Sequence, residues 1–292
     1  MNRWLRATQA APAVWEWLAV TRQARILHLF DHACNLVNEQ GQVLSLVSEQ
    51  IGAGPFHVVL PNWFVVGDLS PNGGDESPTT NVVAYLDGLQ VGGWYVDISR
   101  AARWEPRVDW ERLRAHTAVW QPHIPLIQTM VQQYRAQLGL DTAVWQPPLQ
   151  AGLDRLLMGI RVGDTADIQT ATTQLVGLGP GLTPAGDDVL LGGMLGLWAT
   201  RPKVEVRPLA EVIAGAACPE LDAGAVPRTT TLSAAWLRAA RRGEAGWLWH
   251  EFGHRLSVNG DRWGETVARI LGTGHSSGAD ALWGFTAVVG LS

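Results

Sequence analysis

The sequence contains very little lysine and cysteine, and these absences narrow the chemistry that the protein can perform. Lys203 is the only lysine among 22 basic residues, so Schiff-base or Walker-type lysine chemistry has a single candidate. Cys34 and Cys218 are the only cysteines, and they lie far apart in the sequence. Two distant cysteines make neither a disulfide framework nor a cysteine metal cluster.

Long apolar runs and tracts of one charge are also lacking. The longest apolar stretch, residues 189–199, is about half the length of a membrane span, and Trp and Glu interrupt the first 20 residues. Neither a transmembrane helix nor a secretory signal peptide is predicted. The net charge is −5 and no Lys/Arg tract is present, so nothing indicates nucleic-acid binding. We therefore expect a cytoplasmic protein without a membrane or nucleic-acid partner.

The patterns that are present predict an α+β protein with two domains. Residues 25–100 contain short runs rich in Val, Ile, Leu and aromatic residues, separated by turn signals such as Asp87-Gly88. No helical pattern separates these runs, which favours an antiparallel β unit, a meander or barrel-like sheet. From residue 108 onward the periodicity is helical. We predict a β-rich domain over residues 1–105 and a helical domain over residues 106–292 that carries two glycine-rich loops.

The two glycine-rich loops resemble each other. Residues 179–193 read GPGLTPAGDDVLLGG and residues 272–285 read GTGHSSGADALWGF. With one residue dropped, both contain G-x-G, a hydroxyl residue and then G-x-D-x-L-x-G, and the matched positions lie 92 residues apart. Spacing alone leaves two alternatives open, paired loops that converge on one site or two unrelated helix starts.

The first loop has the character of an anion site at a helix start. Thr183 before a proline fits an N-cap, and the N-terminal end of a helix attracts anions. Asp187 and Asp188 have three alternative roles: ligands of a hydrated Mg²⁺, a general base, or a favourable charge at the helix start. The substrate-binding candidates in this loop are Gly179, Gly181, Thr183 and Gly186.

The second loop offers hydroxyl groups before another helix. Ser277 and Asp280 have the spacing of a capping box. The letters GHSSG resemble a serine-nucleophile motif, but too little chain follows to supply an acid and a histidine. Anion binding is the better interpretation, with Ser276, Ser277 and Gly278 as substrate-binding candidates. His275 is either a catalytic residue or a structural hydrogen-bond donor.

Two further segments carry candidate residues. WLWHEFGHRL contains the zinc-protease pattern His250, Glu251 and His254, which makes a zinc-dependent hydrolase an alternative function. The residue after His254 is charged, which departs from the extended pattern, and the third ligand would have to be Glu265 or Asp261.

The segment that begins at Arg228, RTTTLSAAWLRAA, reads mainly as a capped amphipathic helix. A helix of this kind does not need an arginine and three threonines together. Arg228, Thr229 and Thr230 are therefore candidates for binding a carboxylate or a phosphate.

Three of these motifs resemble a known family. GLGPGLTPAGDD, RTTTLSAAWLRAA and GTGHSSGADALWG occur in the same order as in the AllH family, the oxamate carbamoyltransferase subunits. The stretch IGAGPFHVVLP in the N-terminal part is similar too, so the resemblance extends over nearly the whole chain. The family's usual serine before the GDD glycine is Ala185 here, which removes one hydroxyl group from the loop.

The resemblance implies a carbamoyltransferase subunit that works with two other subunits in anaerobic allantoin breakdown. Oxalurate and phosphate would give oxamate and carbamoyl phosphate, and all four compounds are anions. Thr183 and Gly186 would hold one anionic end, and Ser276 and Ser277 the other. The expected catalytic residues are Asp187, Asp188, Asp280 and His275, with Asp187 and Asp188 as the candidate ligands of Mg²⁺. A non-catalytic ligand-binding or scaffold subunit is the other alternative.

Overall fold

The computed structural model describes residues 3–61, 81–218, 228–258 and 262–291. The chain divides into two compact units, Met1–Pro106 and Arg107–Ser292, which we call the β unit and the helical unit. Each unit has its own hydrophobic core. The strands lie in the β unit and the second unit is built from helices, so the predicted α+β class is confirmed.

The described part of the β unit contains ten strands and one helix. The helix α1 spans Pro12–Val20. The strands are β1 (Arg3–Arg6), β2 (Gln9–Ala10), β3 (Ala24–Leu29), β4 (Ala33–Asn38), β5 (Val43–Ser48), β6 (His57–Leu60), β7 (Asn81–Tyr85), β8 (Gly88–Val91), β9 (Trp94–Asp97) and β10 (Ala102–Arg103). The predicted strand segment at residues 62–66 lies outside the described residues.

These strands form one curled, mixed sheet in the order β1-β9-β8-β7-β3-β4-β5-β6-β2-β10. Only Ala7 and Thr8 separate β1 from β2, yet the two strands pair at opposite ends of this strand order. The Ala7 N–H donates to the Asp97 carbonyl at 2.9 Å, and the Thr8 N–H donates to the Val59 carbonyl at 2.9 Å. The chain at these two residues therefore bonds to strands near both ends of the strand order, so the sheet must curl to bring those ends together.

The sheet is mixed because it contains both antiparallel and parallel strand pairs. The hairpins β3–β4, β4–β5, β7–β8 and β8–β9 are antiparallel, as short turns require. The pairs β1–β9, β5–β6 and β2–β10 are parallel. Local turn signals predict hairpins only, so the parallel pairs are an addition to the antiparallel sheet that the sequence predicts.

The helical unit contains eleven α-helices within the described residues. None of them combines the length and the apolar content that crossing a membrane requires. The helices are α2 (Trp110–Ala115), α3 (Thr117–Trp120), α4 (Ile124–Gln137), α5 (Gln146–Val162), α6 (Thr165–Leu175), α7 (Ala185–Thr200), α8 (Lys203–Ala217), α9 (Thr231–Arg241), α10 (Trp247–Leu256), α11 (Trp263–Leu271) and α12 (Ser277–Val289).

The centre of the helical unit is the pair α7 and α12. Nearly every residue of α7 is buried, as expected for a helix that is apolar on all sides. A Cβ atom added at Gly192 would lie 1.7 Å from the Ala281 carbonyl oxygen, and one at Gly284 would lie 2.1 Å from the Val189 carbonyl oxygen. A Cβ atom at Gly196, one turn further along α7, would lie 2.9 Å from the Phe285 carbonyl oxygen, one turn beyond Ala281 on α12, so the two helices run parallel with their N-terminal ends together.

The repeated sequence pattern corresponds to a repeated helix–loop–helix. A Cβ atom at Gly186 would lie 1.9 Å from the Leu175 carbonyl oxygen at the end of α6. A Cβ atom at Gly278 would lie 1.7 Å from the Ile270 carbonyl oxygen near the end of α11. The pairs α6–α7 and α11–α12 thus share one geometry, in which glycine allows a backbone carbonyl to approach the first turn of the second helix.

Candidate functional site

The two glycine-rich loops meet at the adjoining N-terminal ends of α7 and α12. The hydroxyl oxygens of Thr183 and Ser277 lie 2.7 Å apart, within hydrogen-bonding distance. Both hydroxyl groups also hydrogen bond to the carboxyl group of Asp188, in the first turn of α7. We call Thr183, Ser277 and Asp188 the two-loop junction. The interpretation that the loops converge on one place is the one that agrees with this geometry.

The carboxyl group of Asp188 is almost completely removed from solvent. The residue is 6% exposed, and its Oδ2 atom has no hydrogen-bond partner among the described residues. Burial raises the pKa of Asp188 well above its ordinary value, and the nearby Asp187 raises the pKa further. Hydrogen bonds from Ser277 and Thr183 act in the opposite direction but do not offset burial. The neutral, protonated acid is therefore strongly favoured relative to a solvent-exposed aspartate.

Asp187, the next residue, has a different environment. Its Oδ1 atom accepts a hydrogen bond from the Gly177 N–H at 2.9 Å, and its Oδ2 atom accepts hydrogen bonds from Thr229 and, at 2.8 Å, from Ser233. Burial raises the pKa of Asp187, and these three hydrogen bonds lower it. Because both oxygens are engaged, the carboxyl group of Asp187 ties the first loop to α9.

The segment before α9 packs against the first loop. The Thr230 hydroxyl accepts the Ser233 N–H at 3.0 Å, which caps α9, and donates to the Leu182 carbonyl at 2.5 Å. Arg228 is exposed, and its guanidinium donates to the Thr173 hydroxyl at 3.0 Å. The three motifs that are separated in the sequence are therefore close together in the fold.

Asp280 occupies the matched position in the second repeat but faces different residues. Its Oδ1 atom forms an ion pair with Arg135 of α4, and both side chains are buried. Arg135 also donates to the Gln146 side-chain oxygen at 2.6 Å, and its guanidinium carbon lies 4.3 Å from the centre of the Trp283 ring. The capping box predicted from Ser277 and Asp280 is wrong, because α12 begins at Ser277 itself and the Asp280 carboxylate turns to Arg135.

Arg135, Ser233, Gln146 and Trp283 are not among the site residues predicted from the sequence. A signal for Arg135 does exist, since it follows Ile127 and Val131 at intervals of four residues and so belongs to the buried stripe of α4. A charged residue on such a stripe requires a buried partner. The sequence does not identify that partner, which lies 145 positions away.

One backbone N–H group at the start of each helix is used inside the protein. The Gly186 N–H donates to the Leu178 carbonyl at 2.9 Å, and the Gly278 N–H donates to the Thr273 carbonyl at 3.1 Å. The structure does not leave these two N–H groups for an anion. Thr183 is not the N-cap of α7, since the helix begins at Ala185 and Pro184 holds the capping position.

The remaining loop residues lie closer to the surface. Gly179 and Gly181 have φ values of +103° and +101°, which side-chain-bearing residues rarely adopt, and they turn the chain towards Thr183. His275 is exposed. Ser276 is half-buried and precedes α12 without a side-chain capping bond.

The HEFGH segment lies on α10, and its glutamate, Glu251, is engaged in ion pairs. Glu251 forms ion pairs through one oxygen with Arg255, at 2.5 Å, and through the other with Arg269, at 2.7 Å. Glu265, a predicted third zinc ligand, pairs with Arg255 at 3.2 Å. His250 lies on the same helix and His254 is exposed.

No metal-binding group is formed by the part of the chain that the structure describes. Three or more His, Cys, Asp or Glu side chains are nowhere grouped there in a way that would hold an ion. His250, Glu251 and His254 therefore do not form such a group. Magnesium held by Asp187 and Asp188 would need only two carboxylates and water, so it stays a prediction. Asp261, the other predicted third zinc ligand, lies outside the described residues.

Comparison with known families bears on the segment that contains these motifs. The model of the family described as oxamate carbamoyltransferase subunit AllH matches residues 175–289. This match supports the AllH resemblance for residues 175–289. The matched segment extends from the last residue of α6 to the last residue of α12 and includes both loops of the junction. Arg135 lies outside it. No solved structure matches the chain.

Proposed function

We propose that this AllH-family chain is a subunit of a carbamoyltransferase-type enzyme and binds a small anionic substrate at the two-loop junction. The family description names such a subunit. The observation that carries the proposal is the grouping of two hydroxyl groups and a buried carboxyl group where two parallel helices begin. Hydroxyl groups and helix N-terminal ends both favour anions.

The raised pKa of Asp188 supports an anionic substrate. An ionised carboxylate would repel a phosphate or carboxylate ligand, and a bridging cation would then be needed. A carboxyl group whose pKa is raised by burial keeps its proton more readily, and the protonated form donates a hydrogen bond to an anionic oxygen. In the proposed site the anion would replace the hydrogen bonds that these three groups make to one another, so that Asp188 and the two hydroxyl groups become its donors and a metal ion is not required.

Carbamoyl transfer also needs groups that stabilise charge as the reaction proceeds. Hydrogen-bond donors fixed before the reaction stabilise the developing negative charge on phosphate or on a carbonyl oxygen. Thr183, Ser277 and Asp188 would be such donors for one end of the substrate. The full positive charge that a phosphate requires would come from a partner subunit, which agrees with a family whose members are described as subunits.

Ligand-dependent thermal unfolding tests this proposal. Carbamoyl phosphate, phosphate or oxamate at a hundred times its dissociation constant should stabilise the chain by about 2.7 kcal/mol. Thr183→Val and Ser277→Ala should abolish the stabilisation because each removes a donor. Asp188→Ala should abolish it as well, whereas Asp188→Asn keeps a neutral donor at the same place and should retain it.

Thr273→Ala is the matched control. Thr273 lies in the second loop, is exposed, and its hydroxyl donates only to the Arg269 carbonyl of the preceding helix, at 3.3 Å. This variant should keep the full ligand effect. If none of the three anions raises the unfolding temperature, with or without Mg²⁺ and with or without partner subunits, the junction is not an anion site.

The scaffold alternative has its own readout. Assembly with the partner subunits should be unaffected by Asp188→Asn and Ser277→Ala, while carbamoyl transfer by the assembled enzyme should fall in Ser277→Ala. Full activity in Ser277→Ala, Thr183→Val and Asp188→Ala would assign the chain a non-catalytic role.

A further inference from the structure

A cavity of about 270 Å³ lies among α4, α5 and α12 of the helical unit. Four glutamines line it: Gln128 and Gln132 of α4, and Gln146 and Gln150 of α5. None of the cavity's lining residues belongs to the two-loop junction. The function proposed above therefore makes no use of this cavity.

The inner wall of the cavity is built around Arg135. Its side chain is 4% exposed, and Asp280, Gln146 and Trp283 hold it on three sides. Since the Gln146 side-chain oxygen accepts from Arg135, the NH₂ group of the same amide is directed away from the guanidinium. This NH₂ group has no protein partner within the described residues. The wall is thus a fixed polar surface next to an aromatic ring.

The charges of the cavity disfavour an anion. Arg135 and Asp280 neutralise each other as an ion pair, and Asp141 adds a negative charge to the lining. The other polar groups are neutral amides and the Thr286 hydroxyl. Amide side chains present both a donor and an acceptor, so the lining is complementary to a neutral ligand that also has both.

We propose that this cavity binds a small uncharged molecule that contains an amide or ureido group. The planar group would lie beside the Trp283 ring, donate to Asp141 and to glutamine oxygens, and accept from the Gln132 and Gln146 NH₂ groups. This site is independent of the anion site. The cavity and the junction share only α12, which supplies Trp283 and Thr286 to the cavity and Ser277 to the junction.

Ligand-observed NMR tests the proposal on the full chain, with N-methylurea as the probe. Saturation transfer to its methyl group should be observed for the wild-type protein. Gln132→Leu should weaken binding by about threefold to tenfold, the range expected when a hydrogen bond is lost. Trp283→Leu should weaken binding to a similar extent, and Gln132 is exposed, so its replacement does not endanger folding.

Gln133→Leu is the matched control, because Gln133 is adjacent on α4 and exposed but does not line the cavity. It should bind N-methylurea as the wild type does. The proposal is overturned if N-methylurea gives no saturation transfer, or if Gln132→Leu and Gln133→Leu bind it equally well. It is also overturned if inorganic phosphate or glucose displaces N-methylurea at lower concentration than acetamide does.

Discussion

Asp188 and Asp280 occupy matched positions in two copies of the same helix–loop–helix, yet their surroundings differ. Asp188 lies among the hydroxyl groups of Thr183 and Ser277, and no cation lies beside it among the described residues. Asp280 is 0% exposed and forms an ion pair with Arg135. The repeated backbone buries a carboxyl group at the same place in both copies, and the neighbouring helices decide its chemistry.

The comparison indicates which of the two carboxyl groups is available for chemistry. An ion pair inside the protein fixes the charge and the position of Asp280, which suits a structural role. A pKa raised by burial gives Asp188 a proton that it can share with a ligand, which suits binding or acid–base work. Four measurements test the two repeats and the different roles of their carboxyl groups.

The largest expected effect comes from removing the cation of the pair. Arg135→Leu leaves the Asp280 carboxylate buried without a partner, and we expect a loss of about 3–5 kcal/mol in the free energy of unfolding. Urea denaturation measures the loss. Adding Asp280→Asn should recover part of it, because the buried charge is removed. A single variant within about 1 kcal/mol of the wild type would contradict a structural role for the pair.

The second prediction concerns the contact between the two copies. Gly192→Ala and Gly284→Ala each place a methyl group against a carbonyl oxygen of the facing helix, so each should destabilise the protein by about 1–3 kcal/mol. Gly193→Ala is the control, since its Cβ atom would lie 3.5 Å from the nearest atom, and alanine favours the helix by up to about 1 kcal/mol. Equal losses in Gly192→Ala and Gly193→Ala would show that the close approach does not limit stability.

The third prediction is the pH dependence that Asp188 causes. Its pKa is raised in the folded state, so above the ordinary pKa of an aspartate the unfolded chain loses this proton while the folded protein keeps it. Asp188 therefore lowers stability as pH rises, by about 1.4 kcal/mol per pH unit, until the folded-state pKa is passed.

Asp188→Asn removes this dependence. The difference in unfolding free energy between Asp188→Asn and the wild type should grow from pH 4.5 to pH 7, in favour of the variant. Asp187 is present in both proteins, so its contribution is removed to first order by subtraction. A difference that does not change with pH would show that Asp188 is not the group that titrates.

The smallest expected effect is the coupling between the two hydroxyl groups. A double-mutant cycle of Thr183→Val and Ser277→Ala should give a coupling energy of about 0.5–1.5 kcal/mol, the net contribution of one hydrogen bond. Thr183→Val combined with Thr273→Ala should give no coupling, because the Thr273 hydroxyl bonds to its own helix. Equal coupling energies in both cycles would show that the loops do not interact through these groups.

Much of the candidate site was predictable because glycine and hydroxyl residues have strong local preferences. The loops, the helix starts and the resemblance between the two segments are all visible in the letters GPGLTPAGDD and GTGHSSGAD. The role of the matched glycines was not predictable. Gly186 and Gly278 were expected to admit a ligand, whereas in the fold each admits a backbone carbonyl from the preceding helix.

The sequence also did not predict which residues pair with the buried charged groups. Arg135 is 145 positions from Asp280, and Ser233 is 46 positions from Asp187. The same holds for the parallel strand pairs, since Arg3–Arg6 pairs with Trp94–Asp97. Such pairings depend on how the whole chain folds, and local propensity carries no information about them.

The α+β class, the two glycine-rich loops, their repeat and the resemblance to the AllH family all follow from the amino-acid sequence alone. Each of these depends on local periodicity, turn residues or motif order, which the chain carries wherever it folds. The parallel arrangement of α7 and α12, the contact between Thr183 and Ser277, and the different neighbours of Asp188 and Asp280 are visible only in the tertiary structure. The physical reason is that burial and charge pairing are properties of the surroundings of a side chain, and distant segments supply those surroundings.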